Sequence, residues 1–156
     1  MVQADLTGIQ MKRENPVLLV EDNLDDVLIT KRAWKKGKIK NQLYVVNDGE
    51  EALDFLHKRN SHLDAPKISL MLLDLKMPKM NGFEVLEHIK QDEKLRRLPV
   101  VMLTTSPRSS DIEKAYDLGC NSYIVKPVGF NNFIESVLKI EQFWLELAAI
   151  PPYKNV

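Results

Sequence analysis

Short apolar runs alternate with amphipathic stretches along the chain. The runs are Val17-Leu18-Leu19-Val20, Leu43-Tyr44-Val45-Val46, Ile68 to Leu73 with Ser69 as the sole polar member, Val100-Val101-Met102-Leu103, and Tyr123-Ile124-Val125. Nearly continuous, β-prone runs of this length predict strands covered on both faces, as in a parallel sheet. Between them the apolar positions recur at helical spacing. Val27 pairs with Trp34 and Ile29 with Ala33; Ala52, Phe55 and Leu56 share a face, as do Phe83, Leu86 and Ile89, and Ile112, Ala115 and Tyr116. Asp48 with Glu51 and Ser110 with Glu113 have the spacing of a helix-start capping box. Gly37, Gly82 and Gly119 fall where turns are needed, and Pro66 and Pro99 precede strands. Strand then helix, five times over, predicts an α/β fold with a central parallel sheet and right-handed crossovers.

Composition narrows the class. With 156 residues, 44% hydrophobic and 28% charged, the chain has room for one core. That balance excludes a disordered tail, a collagen-like repeat and a disulfide scaffold. A regulator with a second domain of its own would need more chain. The 22 basic and 22 acidic side chains cancel, which argues against nucleic acid as a partner. The single cysteine, Cys120, points to a reducing, cytoplasmic setting and packs as a small apolar residue. No apolar run approaches a membrane span, and MVQADLTGIQMKREN reads as a loose tail rather than a signal peptide.

Ligands of an open parallel sheet bind beyond the carboxyl ends of its strands. Glu21 and Asp22 follow the first run, Asp74 the third, Thr104-Thr105-Ser106 the fourth and Lys126-Pro127 the fifth. Three carboxylates brought together repel one another, and a divalent cation removes the conflict. Hard oxygen ligands with space for water suit Mg2+. No Gly-rich phosphate loop follows the first strand, so the expected anion is a phosphoryl group carried on Asp74 as nucleophile. Lys126 and the Thr104 hydroxyl would then stabilise its oxygens.

These residues resemble the receiver domain of two-component response regulators. The motifs VLLVEDN, LMLLDLKMPKMNG, LPVVMLTTS and GCNSYIVKP carry the resemblance, from about Pro16 to Ile140. It implies a flavodoxin-like, doubly wound sheet of five strands in the order 2-1-3-4-5. It also implies that Asp74 takes a phosphoryl group from a sensor histidine kinase. Asp22 would be a direct Mg2+ ligand, Glu21 a ligand through water, and the Lys76 carbonyl would complete the site. Lys126 matches the family's lysine, whose bond to the following proline is usually cis, and Thr104 with Tyr123 matches its switch pair. Lys76 is an unusual side chain at its position and is expected to alter the lifetime of the phosphoryl group, as is Ser106. Residues 1–14 would be a tail, 15–142 the receiver domain, and 143–156 an extension. The segments EDNLDDVLITKRAW, NDGEEALDFLHKR and IEQFWLELAAIPP further resemble the small regulators that pair with bacterial phytochrome kinases.

The last helix is expected from Phe130 to Ala149, about twenty residues, with Pro151-Pro152 ending it. Phe133, Val137, Ile140, Trp144 and Leu147 form one stripe; Ile134, Leu138, Leu145 and Ala148 form another. A helix apolar over so much of its circumference buries more than one face. Phe143, Trp144 and Leu147 are therefore expected in a homodimer interface, the alternative being Trp144 folded back onto its own domain. Six basic residues from Lys31 to Lys40 read as a solvated helix end, and His57, His62 and His88 as surface residues without metal-ligand spacing. Three functions fit: a phosphorylation-activated signalling protein acting through protein contacts rather than an enzyme, a hydrolase with an aspartyl intermediate, and an interaction module that does not use its pocket.

Overall fold

A computed structural model describes residues 15–151. Strand β1 (Val17–Val20) leads to helix α1 (Leu24–Lys36), β2 (Leu43–Val46), α2 (Gly49–His57), a 3-10 turn (Asn60–His62) and β3 (Leu70–Leu73). Then come α3 (Gly82–Gln91), β4 (Val100–Thr104), α4 (Ser109–Asp117), β5 (Ser122–Val125) and α5 (Phe130–Glu141). The five strands are parallel in the order β2-β1-β3-β4-β5, as the family resemblance implies.

Side-chain alternation splits the core into two. Leu18, Val20, Met71, Leu73, Val100 and Met102 face Ala52, Phe55, Leu86, Ile89 and Ala115 of α2, α3 and α4. Val17, Leu19, Leu70, Leu72, Val101 and Leu103 face Val27, Ala33 and Trp34 of α1 and Phe133, Ile134 and Val137 of α5. The central strands β1, β3 and β4 are buried along their whole length, whereas β2 and β5 at the edges are only half covered. Burying each large side chain contributes about 2 kcal/mol, which is why these runs hold almost no polar residue. Trp34 is buried and its indole N–H donates to the Asn41 carbonyl at 2.7 Å, satisfying its one polar atom. Cys120 packs in the first core, where burial pushes its thiol up to about 11. The basic run from Lys31 to Lys40 is exposed, with Arg32 lying over the Phe130 ring at 5.4 Å.

Several local expectations change. Asp48 caps α2, its Oδ1 accepting from Glu51 N–H at 2.8 Å. The Glu51 carboxylate, however, reaches the N–H of Asn47 rather than that of Asp48. The reciprocal capping box lies instead at Asn81 and Glu84, opening α3. Ser110 does not cap α4. Asp111 and Ile112 N–H both donate to the Arg108 carbonyl, closing the first turn early and placing Ser110 inside the helix. Tyr116 is exposed rather than core-facing, and its hydroxyl oxygen accepts from Tyr123 N–H at 3.1 Å. His57 and His88, read separately as surface residues, meet where the end of α2 crosses α3, with Nε2 atoms 3.2 Å apart. Sequence spacing could not show this, because the two lie 31 residues apart.

The final helix is α-helical only to Glu141; Gln142–Leu147 winds as a π-helix and Ala148 is extended. A π turn holds more residues than an α turn. The buried stripe Phe133, Val137, Ile140 therefore continues to Leu145, five residues on, instead of to Trp144 and Leu147. Pro151 follows; Pro152 and the expected tail at 1–14 lie outside the described residues.

The same wide turn brings Glu146 onto Glu141. Burial, and then the neighbouring Glu146 carboxylate, push Glu141 up to about 7. A carboxyl raised in the folded state contributes stability in full below its unfolded value and loses it as pH rises through the folded value. The wild type is thus expected to lose about 1 kcal/mol from this group between pH 5 and pH 8, discounted for the nearby solvent. Glu141→Gln should show correspondingly less pH dependence. Denaturation midpoints of both chains at the two pH values check this; identical pH slopes would refute it.

Candidate functional site

The parallel register carries on past the ends of the strands and aims the polar groups. Glu21 N–H donates to the Val46 carbonyl at 3.0 Å and Asp74 N–H to the Val20 carbonyl at 3.0 Å. The Glu21 and Asp74 side chains are therefore held side by side, and both are buried. Asp22, one residue beyond Glu21, is exposed. Glu21, Asp22 and Asp74 each present a carboxylate oxygen within 4.8 Å of the others. On the far side, Lys126 N–H donates to the Thr104 carbonyl at 2.7 Å, fixing the start of the loop after β5. The Lys126 ammonium then donates to Glu21 and, at 2.7 Å, to Asp26 Oδ2, and stands 3.8 Å from Asp74 Oδ1.

Electrostatics follow from that packing. Burial, opposed by Lys126 and reinforced by Asp74, pushes the Glu21 carboxyl up to about 7. Burial alone would lower the Lys126 ammonium, but its hydrogen bonds to Asp26 and Glu21 outweigh that and raise it above its ordinary range. One cation is thus shared among three carboxylates, and Asp22 adds a fourth at the rim. The Asp74 Oδ1 atom accepts from Leu75 N–H at 2.8 Å. Gly82 is required beside it: a Cβ there would stand 2.3 Å from the Asp74 carbonyl oxygen, so only glycine lets α3 begin so close.

The remaining sequence-predicted residues are placed as follows. Thr104 is buried at the end of β4 and its hydroxyl has no hydrogen-bond partner. Lys76 is exposed, two residues beyond Asp74. Tyr123 donates its hydroxyl to the Ser106 carbonyl at 2.8 Å, and Ser106 donates to Asp111 Oδ2 at 2.5 Å. Tyr123 and Thr104 are thus not hydrogen-bonded to each other; the tyrosine is tied to the loop after β4. The Lys126-Pro127 bond is trans, correcting the cis isomer that the resemblance implies; trans is the intrinsically preferred form. Phe143 and Leu147 are 50% and 77% exposed, while Trp144 is half-buried against the α1–α5 core and rings edge-to-face with Phe143 at 5.2 Å.

Asp26 is the residue that sequence reasoning missed. Its first-turn position suggests only a helix-dipole partner, since nothing in the chain reveals that residue 126 returns to it. The donor set fits a hard divalent cation. The carboxylates converge, burial and then the Asp74 charge push Glu21 up, and a buried hydroxyl on an adjoining strand end lacks a partner.

Known proteins share this sequence and fold. The response regulator receiver domain matches residues 17–138. Response regulator Rcp1 from Synechocystis sp. is 38% identical over 86% of this chain and 92% of its own. A crystal structure of the Mn(2+)-bound form of response regulator Rcp1 superposes with a TM-score of 0.84, at 38% identity, over 88% of this chain and 99% of that one. The phosphorylated cyanobacterial phytochrome response regulator RcpA superposes with a TM-score of 0.85, at 38% identity, over 89% of this chain and 99% of that one. A probable methanogenesis regulatory protein, FilR2 of Methanothrix harundinacea, is 37% identical over 89% of this chain and 90% of its own. A match running from β1 into α5, on a fold shared with regulators of light signalling, places this chain in the response regulator receiver family, the signalling proteins of two-component systems.

Proposed function

We propose that Asp74 accepts a phosphoryl group from the phosphohistidine of a sensor histidine kinase, and that the phosphorylated domain signals through protein contacts. The observation that supports this is the convergence on Asp74 of the Glu21 and Asp22 carboxylates and of Lys126 Nζ, 3.8 Å away. An Asp74 oxygen attacks phosphorus, a P–O bond forms, the P–N bond breaks, and the imidazole leaves with its electron pair. Lys126 and the unpartnered Thr104 hydroxyl offer donors to the incoming oxygens. Glu21, Asp22, Asp74 and the Lys76 backbone carbonyl would hold Mg2+, which neutralises phosphoryl charge. Thr104 and Tyr123 form the switch that reports the new group to the surface, beginning from the tyrosine's bond to Ser106. The phosphoryl group is lost by slow hydrolysis at the same site, so the domain is a signal carrier and not an enzyme acting on other substrates. Exposure to Mg2+ and a small phosphodonor tests the reading: one phosphoryl adduct per chain supports it, and continuous donor turnover favours a hydrolase.

A phytochrome-type kinase is the proposed donor, on the strength of the likeness to RcpA. Phosphotransfer from a purified phytochrome kinase should outpace transfer from an unrelated kinase. Residues 1–14 are a tail, the receiver unit spans 15–142, and 143–156 is a docking extension. Phe143, Trp144 and Leu147 form a homodimer contact there, supported by the exposure of Phe143 and Leu147 and by a cleft of about 510 Å³ that Phe143 and Trp144 line. The half-buried Trp144 contributes its outer edge. A chain cut before Phe143 should sediment as monomer at concentrations where the full chain is dimeric; equal masses at every concentration would remove the interface. The setting is cytoplasmic, and neither nucleic acid nor membrane is a partner. The cancelling charges and the absence of a long apolar helix among the described residues support this.

A further inference from the structure

The face made by α2 and α3 carries a second convergent cluster that shares no residue with the acidic pocket. His57 ends α2, His88 lies in the last turn of α3, and Asp92 follows that helix as its C-cap. His57 Nε2 stands 3.2 Å from His88 Nε2 and 3.8 Å from Asp92 Oδ2. All three ligand atoms lie within 4.8 Å of one another. Two imidazole nitrogens bound to one tetrahedral Zn2+ at about 2.0–2.1 Å stand about 3.3 Å apart. The observed separation therefore needs almost no movement to accept an ion.

The carboxylate is prepared for the same role. Asp92 Oδ1 accepts from Lys94 N–H at 2.8 Å and Leu95 N–H at 3.2 Å, which fixes the group and leaves Oδ2 toward His57. Outer hydrogen bonds of this kind orient metal ligands. His88 and Asp92 are one helical turn apart, a spacing that puts both on one face. His88 is exposed while His57 and Asp92 are about one quarter exposed, so an ion can enter and a water can take the fourth position. Arg59 and Lys94 are the cations nearest His57; Arg59 is already paired with Asp54 Oδ1 at 3.4 Å.

We propose that His57, His88 and Asp92 form a surface site for a borderline divalent metal ion, Zn2+ in chemical class, that clamps α2 to α3. Two imidazoles and one carboxylate favour Zn2+ over Mg2+, because imidazole nitrogen is a poor ligand for the harder ion. The hydrogen bond now joining the two Nε2 atoms is replaced by two coordinate bonds, and the donor ring keeps its proton by moving it to Nδ1. The site is independent of phosphorylation at Asp74.

Metal-stripped full-length protein titrated with Zn2+ in excess Mg2+, followed by calorimetry and by melting temperature, tests the assignment. Excess Mg2+ competes for the acidic pocket, and the histidine variants separate Zn2+ held there from Zn2+ held by the histidine site. One equivalent is expected, with a raised melting temperature. His57→Gln and His88→Gln should each weaken binding by at least about tenfold, given that even outer-shell losses cost that much. His62→Gln should bind as the wild type does. No Zn2+ uptake above the Mg2+ background, or equal affinity in the wild type and both glutamine variants, overturns the proposal. Because His88 is exposed, its variant stays folded and the comparison stands even if His57→Gln does not.

Discussion

Asp74→Asn is expected to take up no phosphoryl group under conditions in which the wild type approaches one per chain. The amide lacks the anionic oxygen that attacks phosphorus, and its nitrogen is not a nucleophile. The change is nearly isosteric, and Asp74 Oδ1 accepts only one backbone bond, from Leu75 N–H, which an amide oxygen accepts equally well. The fold should therefore survive. Removing one negative charge from beside Glu21 also relieves part of the repulsion that raises that group. The variant should melt no lower than the wild type in EDTA. Intact-mass measurement after exposure to Mg2+ and a small phosphodonor decides the question. The adduct should be acid-stable and base-labile, as an acyl phosphate is. An equal adduct on the Asn variant would move the acceptor elsewhere.

Lys126→Met should produce the largest change in stability. The ammonium is buried, donates to Glu21 and Asp26, and lies within ion-pair distance of Asp74. Methionine keeps most of the stem volume and removes the charge, leaving buried carboxylates without compensation. Breaking one side of a buried pair costs about 3–5 kcal/mol, and the figure falls toward about 2–3 here because Glu21 can take up a proton instead. The same logic predicts that Mg2+ restores more stability to the variant than to the wild type, since the added cation replaces a missing one. Denaturation in EDTA and in excess Mg2+ measures both effects. If Mg2+ shifts the two chains equally, the lysine and the metal site are not electrostatically linked. Phosphoryl uptake by Lys126→Met should also be impaired, through loss of a donor to the phosphoryl oxygens.

The strand runs were legible because a parallel sheet buries both faces, and Leu18 through Val20 or Leu70 through Leu73 leave no other reading. Glu21, Asp74 and Lys126 were legible for a related reason: polar groups immediately after such runs sit at one edge of the sheet. What stayed hidden depended on distance through space. Asp26 looked like an ordinary first-turn acid, and His57 with His88 looked unrelated. The last helix failed differently. Its apolar residues were read at α spacing, and the π turn reassigned the burial of Leu145 and the exposure of Leu147. The true capping box at Asn81 was visible in the sequence but lay inside a motif read for chemistry.

Lys126 follows Glu21 by 105 residues and Asp26 by 100. During synthesis the two acids emerge early and their cation only after all five strands. Closing so long a loop yields nothing until β5 has docked on β4. Until then the acids lack the lysine that draws them together. The compensated acidic cluster is therefore a by-product of finishing the sheet: a chain interrupted before β5 carries the carboxylates without the cation that balances them.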